Sequence, residues 1–472
     1  MSTATTDVKA QEVVERALSL SRSDGCIVLA EETSEANLRW AANTLTTNGV
    51  MRGRQLTVVA TVGSSQGVCT GVISRSNVDL DQVESLVRAA EEEARGLEGR
   101  AAEDARPLAQ PADVPGSGKG WDESPAETSI GVFSSLAPAL GDVFGHARAQ
   151  GRELFGFAEH QMSTTYLGTS TGIRVRHAQP TGRIEVTGKT ADWSRSSWVG
   201  QSTRDFSDVD ITGIDGELAR RLGWAVRRVD LEAGRYETLL PPSAVSDLLV
   251  YLYWTAAARE ADDGRTVFSR KGGGTRVGER LADAPLRLWS DPHAPGIECD
   301  PVVFAGSSSA SQSVFDNGLP ITSTDWIADG ELKALIQTRH SAEMTGLPFT
   351  PGIDNLLMSS GDATRGLDEM VADTSRGLLL TCLWYVRDVD PQTLLLTGLT
   401  RDGVYLVERG EVVAEVNNFR FNESPVDLLG RLAEVGLTER TLAREFGDYF
   451  TRTSMPTWRV SDFNMSSVSQ AS

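Results

Sequence analysis

Five histidines are the first place to look for chemistry in this sequence: His146, His160, His177, His293 and His340. None stands three, four or five residues from another, so no helix turn presents paired imidazoles, and H-E-x-x-H is absent. His160 and His177 fall in strand-like segments without an identifiable third metal ligand, which makes them satisfied structural histidines. The four cysteines, Cys26, Cys69, Cys299 and Cys382, are far apart. They form neither C-x-x-C nor a zinc-ribbon spacing, and their number is too low for a disulfide framework. Glu260, Asp262 and Asp263 close the run LLVYLYWTAAAREADDGRTVF (248–268), which reads as a helix running into a loop. Three acids can hold a hard cation, but at a helix C-terminus they read as a solvated end.

Three glycine- or serine-rich stretches also invite a test. GSGKG (116–120) lacks the spacing of a phosphate loop, because Asp113 replaces the first glycine and Gly120 follows Lys119. GSSSASQS (306–313) is not G-x-S-x-G, so it presents no nucleophile elbow. SRKGGGTRVG (269–278) has Val277 where G-x-G-x-x-G needs its last glycine, and reads as a mobile loop that could cover a groove. The residues by themselves thus assemble no catalytic constellation.

The elements that would position any site come next. The 472 residues exceed one compact core and imply two or three domains. Acids outnumber bases 65 to 45, a net charge of −20, which argues against nucleic acid and against an anionic membrane surface. The first residues, MSTATTDVKAQEVVERALSLS, lack the basic and apolar regions of a signal peptide, and no apolar run reaches a membrane span. A soluble, cytoplasmic protein is expected.

The pattern predicts an α+β fold. An N-terminal α+β domain over 1–105 holds a helix at 8–21, several strands, and a second helix capped by Asp79. Residues 106–129, rich in Pro, Gly, Ser and Asp, read as a linker or long loop. A central α+β domain over 130–232 ends in a helix at 216–229 with an arginine-rich, solvated face. Residues 233–465 read as a mainly-β C-terminal domain with a curved antiparallel, barrel-like core. It opens with a strand, a Pro pair and Ser243 as N-cap. Strands are expected at ELKALIQTRHSA (331–342), around VFDNGLPI (314–321) and through GLLLTCLWYVRDV (377–389), and a closing helix at PVDLLGRLAEVG (425–436).

Four stretches in this order resemble the TldD/PmbA family of bacterial zinc-peptidase subunits. They are LGTSTGIRV (167–175), EAGRYETLLPPSAVSDLL (232–249), SVFDNGLPITSTDWIADGELKALIQTRHSAEMTG (313–346) and TLLLTGLTRDGVYLVERGEVVAEVNNFRFNESPVDLL (393–429). The likeness extends from about residue 12 to 460, and the run WYVRDVDPQTLLLTGLTRDGVYLVE (384–408) is most similar to actinobacterial members.

The resemblance implies a heterodimer that degrades or trims small unfolded peptides. In the TldD-type subunit, H-E-x-x-x-H on the first helix of the C-terminal domain binds zinc together with a later cysteine, and its Glu is the general base. Matching that motif to this chain puts its two histidine positions on Leu252 and Ala257 and its base on Tyr253. Residues 245–265 contain no histidine. No metal ligand and no catalytic residue is therefore carried over, and Cys382 alone makes no site. The chain resembles the TldE (PmbA) type, with zinc expected in a TldD-like partner subunit. Asn417, Asn418, Arg420 and Asn422 are the candidates for lining a peptide chamber. The alternative is a homodimeric peptide-binding or assembly module without peptidase activity.

Overall fold

The computed structural model describes residues 8–97, 100–361 and 363–469. Its first half is built on six long antiparallel strands: β1 (Gly25–Ala41), β2 (Thr44–Ser64), β3 (Gly67–Ser76), β4 (Arg152–Thr169), β5 (Arg174–Thr190) and β6 (Ser196–Thr203). Their order is β3-β2-β1-β4-β5-β6. Segments 1–105 and 130–232 therefore share one sheet through the β1–β4 pairing. Helices α1 (Ala10–Leu20), α2 (Val83–Gly96), α3 (Leu136–Ala149) and α4 (Ile211–Trp224) bury their apolar stripes against it.

The sequence pattern reads separate strands at 25–32 and 36–45, and on either side of Pro180, but the structure joins them. The stretch GCIVLAEE and the first six residues of ANLRWAANTL form one strand, and the turn falls at Ala42 and Asn43, both with positive φ. Two left-handed residues match the twist of the flanking strands. Buried Asn43 locks the turn by donating to the carbonyl of Arg152 and accepting from the amide of Leu154. β5 likewise runs unbroken through Pro180. The loop 106–129 lies on the sheet: Tyr166 donates to the carbonyl of Glu123, and Ser34 to that of Thr128.

The second half is a fourteen-stranded mixed sheet. Its strands are β7 (Arg228–Val229), β8 (Gly234–Leu240), β9 (Leu286–Ser290), β10 (Thr324–Ala328), β11 (Glu331–Leu332), β12 (Leu356–Ser360), β13 (Arg376–Leu380), β14 (Leu383–Asp390), β15 (Leu395–Thr400), β16 (Val404–Glu408), β17 (Glu411–Val416), β18 (Phe419–Glu423), β19 (Leu432–Thr441) and β20 (Thr453–Val468). β20 pairs with β8, β18 and β19 antiparallel and with β12 parallel. Helices α5 (Pro242–Trp254), α6 (Ala258–Asp262), α7 (Arg339–Thr345), α8 (Leu367–Ala372) and α9 (Pro425–Leu429) complete this half. The largest apolar core, from Leu240 to Met465, lies here. The fold is α+β, as the sequence pattern predicts.

Local expectations shift for identifiable reasons. Asp79 does not cap α2; residues 79–82 make a turn closed by the Gln82 amide on the Asp79 carbonyl, and the helix starts at Val83. Ser243 does not cap α5, because Pro242 pre-sets the helical φ one residue earlier. Ser243 instead donates to the carbonyl of Thr381. The expected strand at 331–342 stops after Leu332, because Thr338 and Ser341 form a reciprocal cap that starts α7. Residues 314–316 are a short 3-10 turn. The run 377–389 divides at Thr381 and Cys382 into β13 and β14. The closing helix stops at Leu429, and the chain returns as β19.

The helix expected at 216–229 ends at Trp224. Its arginines are not a plain solvated face: Arg220 pairs with Glu217 and Asp368, while Arg221 binds Glu217 and the Trp198 carbonyl.

Candidate functional site

The sequence PSAVSDLLVYLYW makes α5 apolar on nearly every face, and nine of its thirteen residues are buried. A helix of that kind belongs in a core rather than on a surface. Its one buried charge-bearing side chain, Asp247, is completely enclosed. It accepts backbone hydrogen bonds from Arg444 (3.1 Å), Glu445 (2.9 Å) and Phe446 (3.2 Å). These bonds tie α5 to the segment between β19 and β20. Burial outweighs the three donors and pushes the Asp247 carboxyl up to about 8.

The run 248–268 is two helices rather than one. α5 ends at Trp254, and Ala257 forms a bridge to Ile336 before α6 begins. The Ala258 amide donates to the Ile336 carbonyl, and the Ile336 amide to that of Ala256. Leu252, Tyr253 and Ala257, the positions the resemblance matches to the metal motif, all face inward and are only 3, 4 and 3% exposed. Tyr253 packs its ring against Trp326 and Phe450. Its hydroxyl donates to the Ile353 carbonyl and accepts from the Ile353 amide.

A groove of about 360 Å³ opens at this end of α5. Trp254 and Tyr449 stand exposed on its walls, with Phe304 and Phe450 beside them. Asp300, Asp316 and Asp354 supply its acidic surface. Asp354 pairs with Arg452, which also donates to Thr181 of β5, so a groove residue is tied through Arg452 to the first half of the chain. Asp316 pairs with Arg339 at 2.7 Å. Asp300 faces Nε2 of His177 at 3.5 Å. The concave wall removes water and raises the Asp300 carboxyl; for Asp354 the same desolvation outweighs the opposing Arg452 charge and, with repulsion from Asp300, pushes the carboxyl up to about 6. Beneath them the buried Cys299 thiol is pushed up to about 12.

The zinc that the family resemblance implies does not fit the residues present. Leu252 and Ala257 offer no donor atom, and burial pushes the Tyr253 phenol upward, so it stays neutral. Cys382 is buried against Trp198 and Leu442 with its thiol pushed up to about 12. It follows Thr381, whose carbonyl is bound by Ser243 at the opposite end of α5, about 15 Å along the axis from Tyr253. Among the described residues, no three His, Cys, Asp or Glu side chains converge to hold a metal. Glu260, Asp262 and Asp263 lie at α6, where Asp263 pairs with Arg265.

The other singled-out residues have definite places. His160 is buried between Thr128 Oγ1 and the Arg204 carbonyl, and burial holds it below the usual imidazole range. Asn417 is 6% exposed and accepts from the Leu231 amide, in the break between β17 and β18. Asn418 accepts from Thr400 in the same break. Asn422 accepts from Thr397 and Ser466. Arg420 is exposed and donates to Thr397.

The groove residues escaped sequence reasoning because they come from 253–254, 300–304, 311–316, 336–338, 351–354 and 449–450, with no motif joining them. The available signal was indirect. Position 253 marks the helix end where the motif would lie, and Trp254 interrupts an otherwise buried pattern.

Comparison with known proteins agrees with the fold. Residues 233–467 match the family model of the PmbA/TldA metallopeptidase C-terminal domain. Among curated protein sequences, none matches the chain. The chain is similar in structure to TldE from Thermococcus kodakarensis, with a TM-score of 0.77 and 16% identity over 96% of this chain and 99% of that one. A candidate modulator of DNA gyrase from Bacteroides thetaiotaomicron is similar at a TM-score of 0.75 and 16% identity, over 99% and 100%. Another such candidate modulator, from Thermotoga maritima, gives 0.74 and 17% over 96% and 99%. At these identities the structures show a shared fold, and the family match covers the half that holds the groove. The chain thus carries a C-terminal domain of the PmbA/TldD family.

Proposed function

We propose that this chain is the non-catalytic, TldE-type subunit of a heterodimeric, cytoplasmic metallopeptidase of the actinobacterial kind. A TldD-like partner carries the zinc, and the pair degrades or trims small unfolded peptides. One observation supports the reading: Leu252, Tyr253 and Ala257, which the resemblance matches to the metal motif, are buried packing residues without an imidazole or carboxylate. The helix keeps its place in the fold while its surface toward the groove serves packing and shape.

In this reading the chain's own residues bind and orient a peptide and exclude water around it. The groove beside Tyr253 is the surface this reading assigns to the peptide. The −20 charge leaves nucleic acid an unsuitable partner, and among the described residues no helix is long and apolar enough to cross a membrane.

The test is to purify the chain alone and co-expressed with the TldD-like protein of its own genome, then measure bound zinc and cleavage of a short unstructured peptide. Zinc and cleavage confined to the co-expressed sample support the reading. Cleavage by the lone chain, or failure of the two chains to associate, overturns it.

A further inference from the structure

The walls of the groove at the end of α5 are chemically uneven. Three lining carboxylates, Asp300, Asp316 and Asp354, meet two arginines that pair with them, Arg339 and Arg452. Among the described residues, Asp300 is the one that forms no ion pair with a guanidinium, although Arg452 lies near enough to act on it. The His177 Nε2 facing it at 3.5 Å is too far for a strong hydrogen bond and lies closer, at 3.1 Å, to Gln179 Oε1. The groove thus holds one carboxylate in excess.

Two further features point to an occupant. Trp254 and Tyr449 are 41 and 78% exposed beside this acidic surface. Large exposed aromatics next to a cavity are the usual anchors of a bound chain, and their faces attract cations. Gln337, which lines the same groove, is 1% exposed. Its Nε2 donates to Thr345 Oγ1 at 2.8 Å, but its Oε1 has no partner among the described residues. A buried acceptor left unpaired is costly, and a donor such as a peptide N–H would satisfy it.

We propose that this groove seats a lysine-type cationic side chain of an extended peptide, with Asp300 and Asp354 binding the ammonium and Trp254 and Tyr449 flanking the alkyl stem. The assignment rests on the peptide-handling reading above and names the kind of residue selected. A long apolar stem with a charged head matches aromatic walls and an acidic surface, while an acidic side chain is repelled.

The probe is a capped heptapeptide of glycine and alanine with one central lysine, compared with the same peptide carrying Nε-acetyl-lysine. Binding to the full chain alone is followed by calorimetry and by tryptophan fluorescence. The lysine peptide binds, and the acetylated one is at least about tenfold weaker. Asp300→Asn removes most of that preference; its side chain is 42% exposed, so the fold tolerates the change. Trp254→Ala weakens both peptides. Equal affinity for the two peptides, no binding of either, or an unchanged preference in both Asp300→Asn and Asp354→Asn overturns the assignment. If the co-expressed pair cleaves both peptides at one rate, the charge selection falls while the subunit reading stands.

Discussion

The hydroxyl of Tyr253 donates to the carbonyl of Ile353 at 3.0 Å and accepts from the amide of the same residue at 2.7 Å. One side chain thus satisfies both backbone groups of a buried residue that adjoins Asp354. Tyr253→Phe keeps the ring packing but strands both groups, at a cost of about 1–3 kcal/mol. Urea unfolding measures this. A loss below about 0.5 kcal/mol would mean that water or a backbone shift replaces the hydroxyl.

Rebuilding the metal motif at this helix end is expected to fail structurally. The triple variant Leu252→His, Tyr253→Glu, Ala257→His puts three polar groups into sites that are 3 to 4% exposed. It also provides only two of the three protein ligands a catalytic zinc uses. The expected outcome is a lower melting temperature and no tight zinc in dialysed protein, read by calorimetry and metal analysis. A stable, zinc-loaded variant would show that the site needs only the missing imidazoles.

Asp247 predicts a pH-dependent difference. An unfolded Asp titrates near 3.8, whereas burial holds the folded carboxyl protonated up to about 8. Between those values the folded state binds the extra proton, so this group's contribution to stability falls as pH rises. Asp247→Asn does not titrate, and its one oxygen still accepts from Glu445 and Phe446. Stability of the variant relative to the parent should therefore improve steadily between about pH 5 and about pH 8. A flat difference across that range in denaturant titrations would place the Asp247 ionisation outside it.

The polar residues around β18 should separate into two kinds. Asn417→Ala strands the Leu231 amide and is expected to cost about 1–2 kcal/mol. Arg420→Ala removes an exposed side chain and should change stability by less than about 0.5 kcal/mol. If Arg420 lines a peptide chamber, the same change lowers turnover by the assembled pair. Thermal melts and peptide cleavage on both variants distinguish the two roles.

Much of the architecture was legible because it rests on local pattern. The helical spacing of Val83, Leu86, Val87, Ala90 and Ala94 announces α2, and the turn signal ERGE at 408–411 announces the β16–β17 hairpin. Boundaries failed where side chains decide them: Thr338 and Ser341 convert an expected strand into α7. The sharing of one sheet by β1 and β4 was invisible, because a pairing across more than a hundred residues leaves no periodic trace. The site was legible only as a lack of imidazoles at 252 and 257. The groove itself needs Asp300, Asp354 and Trp254 in one place, and only the folded topology does that.

The placement of β20 also sets an order of events during synthesis. The six-stranded sheet is complete once Thr203 has left the ribosome, and its pairings need nothing later. The larger sheet is different, because β8, β12, β18 and β19 all take hydrogen bonds from Thr453–Val468. Until β20 emerges, roughly two hundred residues of apolar, strand-forming chain wait with open edges. The nascent protein is thus most exposed to aggregation until Thr453–Val468 has emerged, and a truncation before Thr453 should behave as an insoluble chain with a folded head.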